Sequence, residues 1–468
     1  MDELSPQGDL PAHGDDRLGG RRRGRDAQHR AAESRQRSDL GGGRLGARQS
    51  RVRVLRRDGA HVVEAPAYHR ATASPARELG GTAVRILQII SVGSEVGGAE
   101  KSVRLIKDGL ERRGHQVHVI ATDRMSAGRQ TFADELVPAI SGNAAQRIAR
   151  HFWYQRAYRQ VGQALQTFQP DCVHLHTIGE FGPAVLAATA GYPQVLTVHG
   201  PEEWTRSLLR WKLDSAAAAH RLSATDVARY AYYRFMQRPA YLPWLRRVTR
   251  ILTPSRYFAD AIRRDVGSVP LFVVPNGIEH KSAQPLSEAD HVVFAGRLER
   301  VKGVGVLLDA LRELLPVRPG VRLTVVGDGP DRTRLEASAA DLVAAQRVIF
   351  RGWLAESDVI ECLGTASVVA LPSIWPENFP TVALEALQVG RPLVASRVGG
   401  LPELVGGDNG ALVSAGSAGE LAAALDSLLG RRVVLERMGA ASVSRAERYR
   451  LEEFLDALEH HYKQAAAT

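Results

Sequence analysis

Hydrophobic and polar positions along the chain fall into two regimes. Residues 1 to about 83 have almost no apolar periodicity: RRRGRDAQHRAAESRQRSDLGGGRLGARQSR is dense in Arg, Gly and Ser and offers no face to bury. At VRILQII (84–90) the pattern changes abruptly to a continuous apolar run, as expected of a parallel strand buried on both faces. It leads through SVGSEVGG into AEKSVRLIKDGLERRG, apolar at helical spacing, and then into HQVHVIA, which predicts a βαβ unit. Strand-like runs follow at CVHLH (172–176), QVLTVH (194–199), RILTPS (250–255) and LFVVP (271–275), separated by helical stretches such as 146–168.

A second series begins at HVVFAGRL (291–298) and continues through VRLTVVG (321–327), RVIFRG (347–352), SVVALPS (367–373) and PLVAS (392–396). Helical patterns at 304–315 and 417–430 alternate with it, and a last helix at about 451–464 follows. Two consecutive sets of alternating strand and helix predict two doubly wound α/β domains. The polar, turn-rich PNGIEHKSAQPLSE (275–288) reads as the link between them. The expected boundaries are 1–83 for a disordered or non-native Arg-rich extension, 84–283 for the first domain and 284–447 for the second. Ligands of such sheets bind at the carboxyl ends of the strands, so the cleft between the domains is the expected site.

Composition narrows the class. The chain has 468 residues, is 44% hydrophobic and 24% charged, and contains no run of the roughly 20 apolar residues that a membrane-spanning helix needs. MDELSPQGDL lacks the basic and apolar regions of a secretory signal, and two cysteines, Cys172 and Cys362, cannot form a disulfide framework. The expected compartment is the cytoplasm. Of the net charge of +10, half lies in residues 1–84, which hold 16 Arg against 11 Asp and Glu. That basic segment has no interleaved aromatics, so it reads as an extension and not as a nucleic-acid arm.

Four constellations sit at strand ends or helix starts. In VGGAEKS (96–102), Gly97 and Gly98 permit a tight turn before a helix N-terminus that favours an anion, although the spacing departs from G-x-G-x-x-G. In GRLERVKG (296–303), Arg297 and Lys302 share a glycine-framed loop ahead of a helix, which suits a diphosphate or is a solvated basic turn. In WPENFPTVALEA (375–386), Pro380 confines Phe379 to extended conformations and starts a helix near 380, so Glu377 and Asn378 belong to the loop before it. Thr381 and Glu385 then share one helix face, and the free amides of 381 and 382 can meet an anion. Glu377 and Glu385 thus flank a helix mouth, an arrangement for holding hydroxyls more than for a hydrolytic carboxylate pair. Fourth, His199 ends QVLTVH, while Cys172, His174 and His176 alternate on one strand face without a fourth metal ligand. No Asp-x-Asp pair follows a second-domain strand to carry Mg²⁺, so catalysis without a metal or other cofactor is expected.

Taken in order, GGAEKS, GLERRGHQVHVIAT, HLHT, TVHG, LTPS, VPNGI, GRLERVKG, VVGDGP, FRGW, LPSIWPENFPTVALEALQVGRPLVAS and GGLPELV resemble the family-four retaining glycosyltransferases of the GT-B fold over about residues 84–410. The resemblance implies two Rossmann-like domains facing each other across a cleft, with a C-terminal helix (about 448–465) returning to the N-terminal domain. It implies a nucleotide-diphosphate sugar donor in the C-terminal domain and a sugar, lipid-linked or small-molecule acceptor in the N-terminal one. Arg297 and Lys302 would grip the diphosphate, Gly98 would offer it an amide, Glu385 would hold the ribose, and Glu377 and His199 would contact the donor sugar. Gly97, Asn378, Phe379, Thr381 and Val382 complete the implied substrate-binding set. Cell-surface polysaccharide or glycolipid synthesis is the family's usual work.

One departure stands out. The family commonly carries Glu-Gly-Phe-Gly where this chain has Glu377-Asn378-Phe379-Pro380, so one backbone N–H is missing and Asn378 is expected to substitute partly for it. WTRSLLRWKL (204–213) and YLPWLRRVTR (241–250) mix Trp, Leu and Arg, which leaves a membrane surface as an open partner beside ordinary helix packing. Two rivals remain at this stage: a two-domain NAD-dependent dehydrogenase, with Asp123 imitating a ribose-binding acid, and a non-catalytic sugar-nucleotide scaffold.

Overall fold

The apolar runs form two parallel sheets. The first comprises β1 (Val62–Glu64), β2 (Arg85–Val92), β3 (Gln116–Thr122), β4 (Glu135–Val137), β5 (Cys172–Leu175), β6 (Gln194–Thr197), β7 (Arg250–Thr253) and β8 (Leu271–Val273). Their order across the sheet is β1-β8-β7-β6-β5-β2-β3-β4. The second comprises β9 (His291–Ala295), β10 (Arg322–Val326), β11 (Val348–Gly352), β12 (Val368–Leu371), β13 (Leu393–Ser396) and β14 (Gly410–Val413), in the order β11-β10-β9-β12-β13-β14. Every strand pair in both is parallel, as right-handed crossovers through helices require.

This computed structural model describes residues 62–64, 83–125, 130–206, 224–286 and 290–467, all within one compact unit that begins at Val52. The rest of the Arg-rich extension lies outside the described residues, as does WTRSLLRWKL from residue 207 on.

Each sheet is covered on both faces, which is why its strands read as unbroken apolar runs instead of alternating ones. In the first domain, Leu87, Ile89, Val173 and Leu196 face a cluster with Phe181 and Trp204, while Ile86, Ile90 and Val119 face Leu455, Leu458 and Tyr462. The latter three belong to the last helix, Leu451–Ala466, which packs on the Gly98–Arg112 helix and on β5 and β6 of the first sheet. The C-terminal helix therefore returns to the N-terminal domain. Gly109 allows this contact, because a Cβ there would stand 2.4 Å from Leu455 Cδ1.

Two local expectations change. The helical pattern at 146–168 is two helices, Ala144–Phe152 and Gln155–Phe168, broken at Trp153, which takes extended angles. Val62–Glu64, Glu135–Val137 and Gly410–Val413 add edge strands too short for periodicity to reveal. In YLPWLRRVTR, Tyr241 and Leu245 are buried in the core and Arg247 lies 5.1 Å over the Trp244 ring, so this stretch serves packing more than surface contact.

Candidate active site

The carboxyl ends of the two sheets meet across a cleft, and each domain aims a helix N-terminus into it. From the first domain comes the Gly98–Arg112 helix, whose cap Gly97 contributes no side chain. From the second comes the Thr381–Gln388 helix, capped by Pro380. A Cβ on Gly98 would lie 3.3 Å from Thr381 Cγ2 and Oγ1, so the two amino ends are in near contact. First-turn amides have no intrahelical acceptor, and the two helix dipoles add, so this point attracts an anion. Gly97 and Gly98 are both exposed there, Thr381 and Val382 half-buried.

The loop after β9 supplies the cations. Gly303, at φ +73°, turns the chain so tightly that a Cβ would lie 1.9 Å from the Pro372 carbonyl oxygen. That contact sets Lys302 beside the loop carrying Glu377. Lys302 Nζ lies 2.7 Å and 2.9 Å from the two Glu377 carboxylate oxygens, and Ser373 Oγ donates to Oε1 at 2.7 Å. Arg297 is more exposed, with Nε 2.9 Å from Glu299 Oε1. Glu377 is also gripped through its backbone: Gly400 N donates to its carbonyl at 2.7 Å, and a Cβ on Gly399 would fall 2.0 Å from that same oxygen. The Gly-Gly pair in GGLPELV is thus a backplate for the Glu377 loop.

Glu385 is buried one turn inside its helix, and its Oε1 accepts from Lys101 Nζ at 2.6 Å across the interface. Lys101 also pairs with Glu356 at 2.9 Å, and Arg104 joins the cluster through Glu356 and Glu95. Burial disfavours the Lys101 charge, but Glu385 and Glu356 more than offset it and hold the ammonium above its usual range. In the sequence Lys101 stands out only as part of GGAEKS. Its partner lies 284 residues away, and no local signal reveals such a pair.

Asn378 and Phe379 both turn inward in the structure. Asn378 is buried, and its Nδ2 donates to the carbonyls of Val198 (3.1 Å) and His199 (3.0 Å) while its Oδ1 accepts from Ser255 Oγ. These bonds tie the two domains together and engage the side chain expected to stand in for the amide lost at Pro380. Phe379 is likewise buried, edge-on to Tyr449 at 5.4 Å, and only its carbonyl is used, accepting from Asn276 Nδ2 at 3.2 Å.

His199 reaches the cleft from the first domain at the end of a hydrogen-bonded chain. Its Nε2 lies 3.0 Å from His176 Nδ1, and His176 Nε2 lies 3.1 Å from Gln88 Oε1. His174 is bonded separately to Tyr462 OH and Thr197 Oγ1, both at 2.7 Å. Burial lowers the His199 pKa to about 4, and burial plus neighbouring histidines push His174 and His176 well below the usual value. The histidines are therefore neutral; both ring nitrogens of His174 and His176 are engaged with protein partners, and His199 is engaged through Nε2. Cys172 is equally inert, its thiol pushed up to about 12 by burial. Among the described residues no group of three His, Cys, Asp or Glu is arranged to hold a metal.

The likenesses to known proteins agree with this architecture. The first domain matches the family model described as Glycosyltransferase Family 4 over residues 96–282, and the second matches Glycosyl transferases group 1 over residues 278–445. Glycogen synthase of Mycobacterium tuberculosis is 27% identical over 379 residues, covering 75% of this chain and 86% of its own. Phosphatidyl-myo-inositol mannosyltransferase of Mycobacterium leprae is 26% identical over 366 residues, covering 75% and 89%. Among solved structures, sucrose-phosphate synthase of Thermosynechococcus elongatus superposes with a TM-score of 0.64 at 18% identity, over 82% of this chain and 99% of its own. Anabaena HepE in complex with UDP-glucose gives 0.59 at 20%, over 81% and 100%. None of these relatives is a dehydrogenase or a non-catalytic scaffold. With both halves of the chain matched in order, this protein is a glycosyltransferase of the GT-B fold and belongs to the family-four, group 1 type.

Proposed function

We propose that this enzyme transfers a hexosyl group from a nucleoside-diphosphate sugar to an acceptor held by its N-terminal domain, with retention of anomeric configuration and without a metal. One observation carries the reading: two helix N-termini meet in the cleft beside Lys302, which is bonded to Glu377. In Anabaena HepE the corresponding fold is solved with UDP-glucose, which supports a donor of this class.

In this reading the diphosphate lies between the amides of residues 98 and 381–382, with Arg297 and Lys302 neutralising its charge. They supply the electrostatic stabilisation that another enzyme would draw from a divalent cation. Donor entry exchanges ion pairs for ligand contacts. Lys302 turns from Glu377 to phosphate, freeing Glu377 for the sugar hydroxyls and the positive charge developing at the anomeric carbon. Lys101 keeps Glu356 and releases Glu385 to the ribose hydroxyls. His199, neutral, accepts or donates a hydrogen bond at the sugar from the opposite wall.

The anomeric C–O bond to the diphosphate breaks as the acceptor oxygen bonds to the same face of that carbon. The acceptor's proton passes to the departing phosphate oxygen. The acceptor is a sugar, a small molecule or a lipid-linked glycan, in cytoplasmic synthesis of cell-surface polysaccharide or glycolipid.

The test is a panel of UDP-, GDP- and ADP-sugars followed by thermal stabilisation and slow donor hydrolysis. A ligand at 100 times its Kd adds about 2.7 kcal/mol, an easily measured shift. Failure of every donor to stabilise the protein overturns the assignment.

A further inference from the structure

Three polar side chains are buried behind the cleft, where strands of this kind place apolar ones. Gln88 on β2 stands opposite His174 on β5 in the strand register, and His176 follows directly after β5. All three are buried completely. Gln88 alternates with Ile86 and Ile90, so it lies on the sheet face that the last helix covers. Its Oε1 has a partner in His176, but its Nε2 has no hydrogen-bond partner among the described residues. A buried amide satisfied at one end only carries a desolvation cost that a leucine would avoid, so its presence calls for a reason.

The reason lies in what the Gln88 oxygen imposes on the rings beyond it. A carbonyl oxygen only accepts, so His176 Nε2, 3.1 Å away, must carry its hydrogen. A neutral imidazole has a single N–H, so His176 Nδ1 keeps a lone pair. That lone pair faces His199 Nε2 at 3.0 Å, and Nε2 must therefore donate. His199 is left with a bare Nδ1, the one ring nitrogen it still has for a ligand. One amide on β2 thus decides the hydrogen-bonding sense of a ring nitrogen two residues further along the relay.

Packing keeps the rings in this order. His174, bonded to Tyr462 OH and Thr197 Oγ1, lies against His176 with ring centres 3.9 Å apart. His176 in turn stacks on His199 at 5.3 Å and 26°. On the far side, the His199 backbone carbonyl accepts from Asn378 of the second domain, which sets His199 against the loop that carries Glu377.

We propose that Gln88 is a positioning residue for the transfer reaction: through His176 it holds His199 in the tautomer whose free nitrogen accepts a hydrogen bond. His199 then favours a sugar that offers it a hydroxyl or an N–H. It turns away one that offers an ether oxygen or a carboxylate, since two lone pairs would face each other. Neutral hexoses and N-acyl amino sugars fit, and a hexuronate with its carboxylate at this wall does not. The selectivity rests on the proposed placement of the donor sugar beside His199, whereas the tautomer does not.

Long-range proton–nitrogen spectra of the full chain, labelled with ¹⁵N at histidine and free of ligand, read the tautomer directly. His199→Gln identifies the His199 signals among the 15 histidines. The expected spectrum has a hydrogen-bearing Nε2 and a bare Nδ1 at His199. Gln88→Met keeps the side-chain length and removes the carbonyl, and its His199 signals should move to the average of two tautomers. A hydrogen on Nδ1 in the parent overturns the proposal, and so does a Gln88→Met spectrum identical to the parent's. The parent spectrum alone decides if the variant does not fold. The second arm measures turnover with donors in which one sugar hydroxyl at a time is replaced by fluorine, which cannot donate. At one position the substitution should cost the parent about tenfold more in kcat/KM than it costs Gln88→Met, the equivalent of one oriented hydrogen bond. Equal penalties at every position overturn the selectivity. A protein with the expected tautomer that binds no sugar nucleotide overturns the donor assignment instead, and the selectivity with it.

Discussion

Gly303→Ala tests how the cleft's lysine is placed. At φ +73° an alanine costs about 1–2 kcal/mol for the left-handed backbone alone. Its Cβ would also stand 1.9 Å from the Pro372 carbonyl oxygen and 2.8 Å from the carbonyl carbon, where contacts under 3.0 Å are essentially never found. The clash is backbone on backbone, so no rotamer relieves it, and the loop must move by roughly 1 Å at a further cost of about 1–3 kcal/mol. Gly416→Ala is the matched control, at φ +77° with nothing within 4 Å of its Cβ. At about 2–4 °C per kcal/mol for a domain of this size, the control loses about 2–8 °C and Gly303→Ala about 4–20 °C. Because the same movement carries Lys302 away from Glu377, turnover assayed well below both midpoints falls about 100-fold in Gly303→Ala and is unchanged in the control. Equal melting temperatures with full turnover in both variants would refute the link between this turn and the site.

Three further outcomes follow from the ion pairs and hydrogen bonds. Lys101→Met leaves Glu385 and Glu356 without their shared cation at a buried interface, and denaturant titration should show a loss of about 3–5 kcal/mol. Asn378→Ala should lower stability by about 1–3 kcal/mol through the orphaned carbonyls of Val198 and His199, while donor-sugar preference in a competition assay stays unchanged. The cleft histidines should make stability fall with acid. His199 has a folded pKa of about 4 against about 6.5 unfolded, so the unfolded chain binds the proton first. Its contribution is complete above about pH 6.5 and is lost as pH falls towards 4, about 2 kcal/mol of it by pH 5. Urea midpoints at pH 7.5 and 5 should show this slope, and His199→Gln should flatten it.

Both sheets were legible in the sequence because strands buried on two faces leave continuous apolar runs, and VRILQII and SVVALPS need no tertiary context to be recognised. The candidate site was legible where chemistry follows a strand directly, as at Lys302 and Glu377. What stayed hidden depends on long-range geometry. Lys101 meets Glu385 only because two helix ends oppose each other, and the direction of Asn378 is decided by carbonyls of the other domain. Helical periodicity ran through 146–168 because Trp153 and Tyr154 fit the apolar pattern while the backbone turns there. Only the backbone packed against Gly399 and Gly400 explains why the GGLPELV motif begins with two residues that lack side chains.

In the proposed reaction Glu377 serves the donor sugar while the helix mouth and Lys302 serve the diphosphate. The most direct measurement compares Glu377→Ala with the parent using whichever sugar nucleotide stabilises the protein, recording nucleoside-diphosphate affinity and single-turnover transfer on the same samples. Affinity should stay within a few fold of the parent and transfer should slow by about 100- to 1,000-fold, as for loss of one preorganised electrostatic contact. Transfer at the parental rate would contradict it, as would affinity and rate falling together by the same factor.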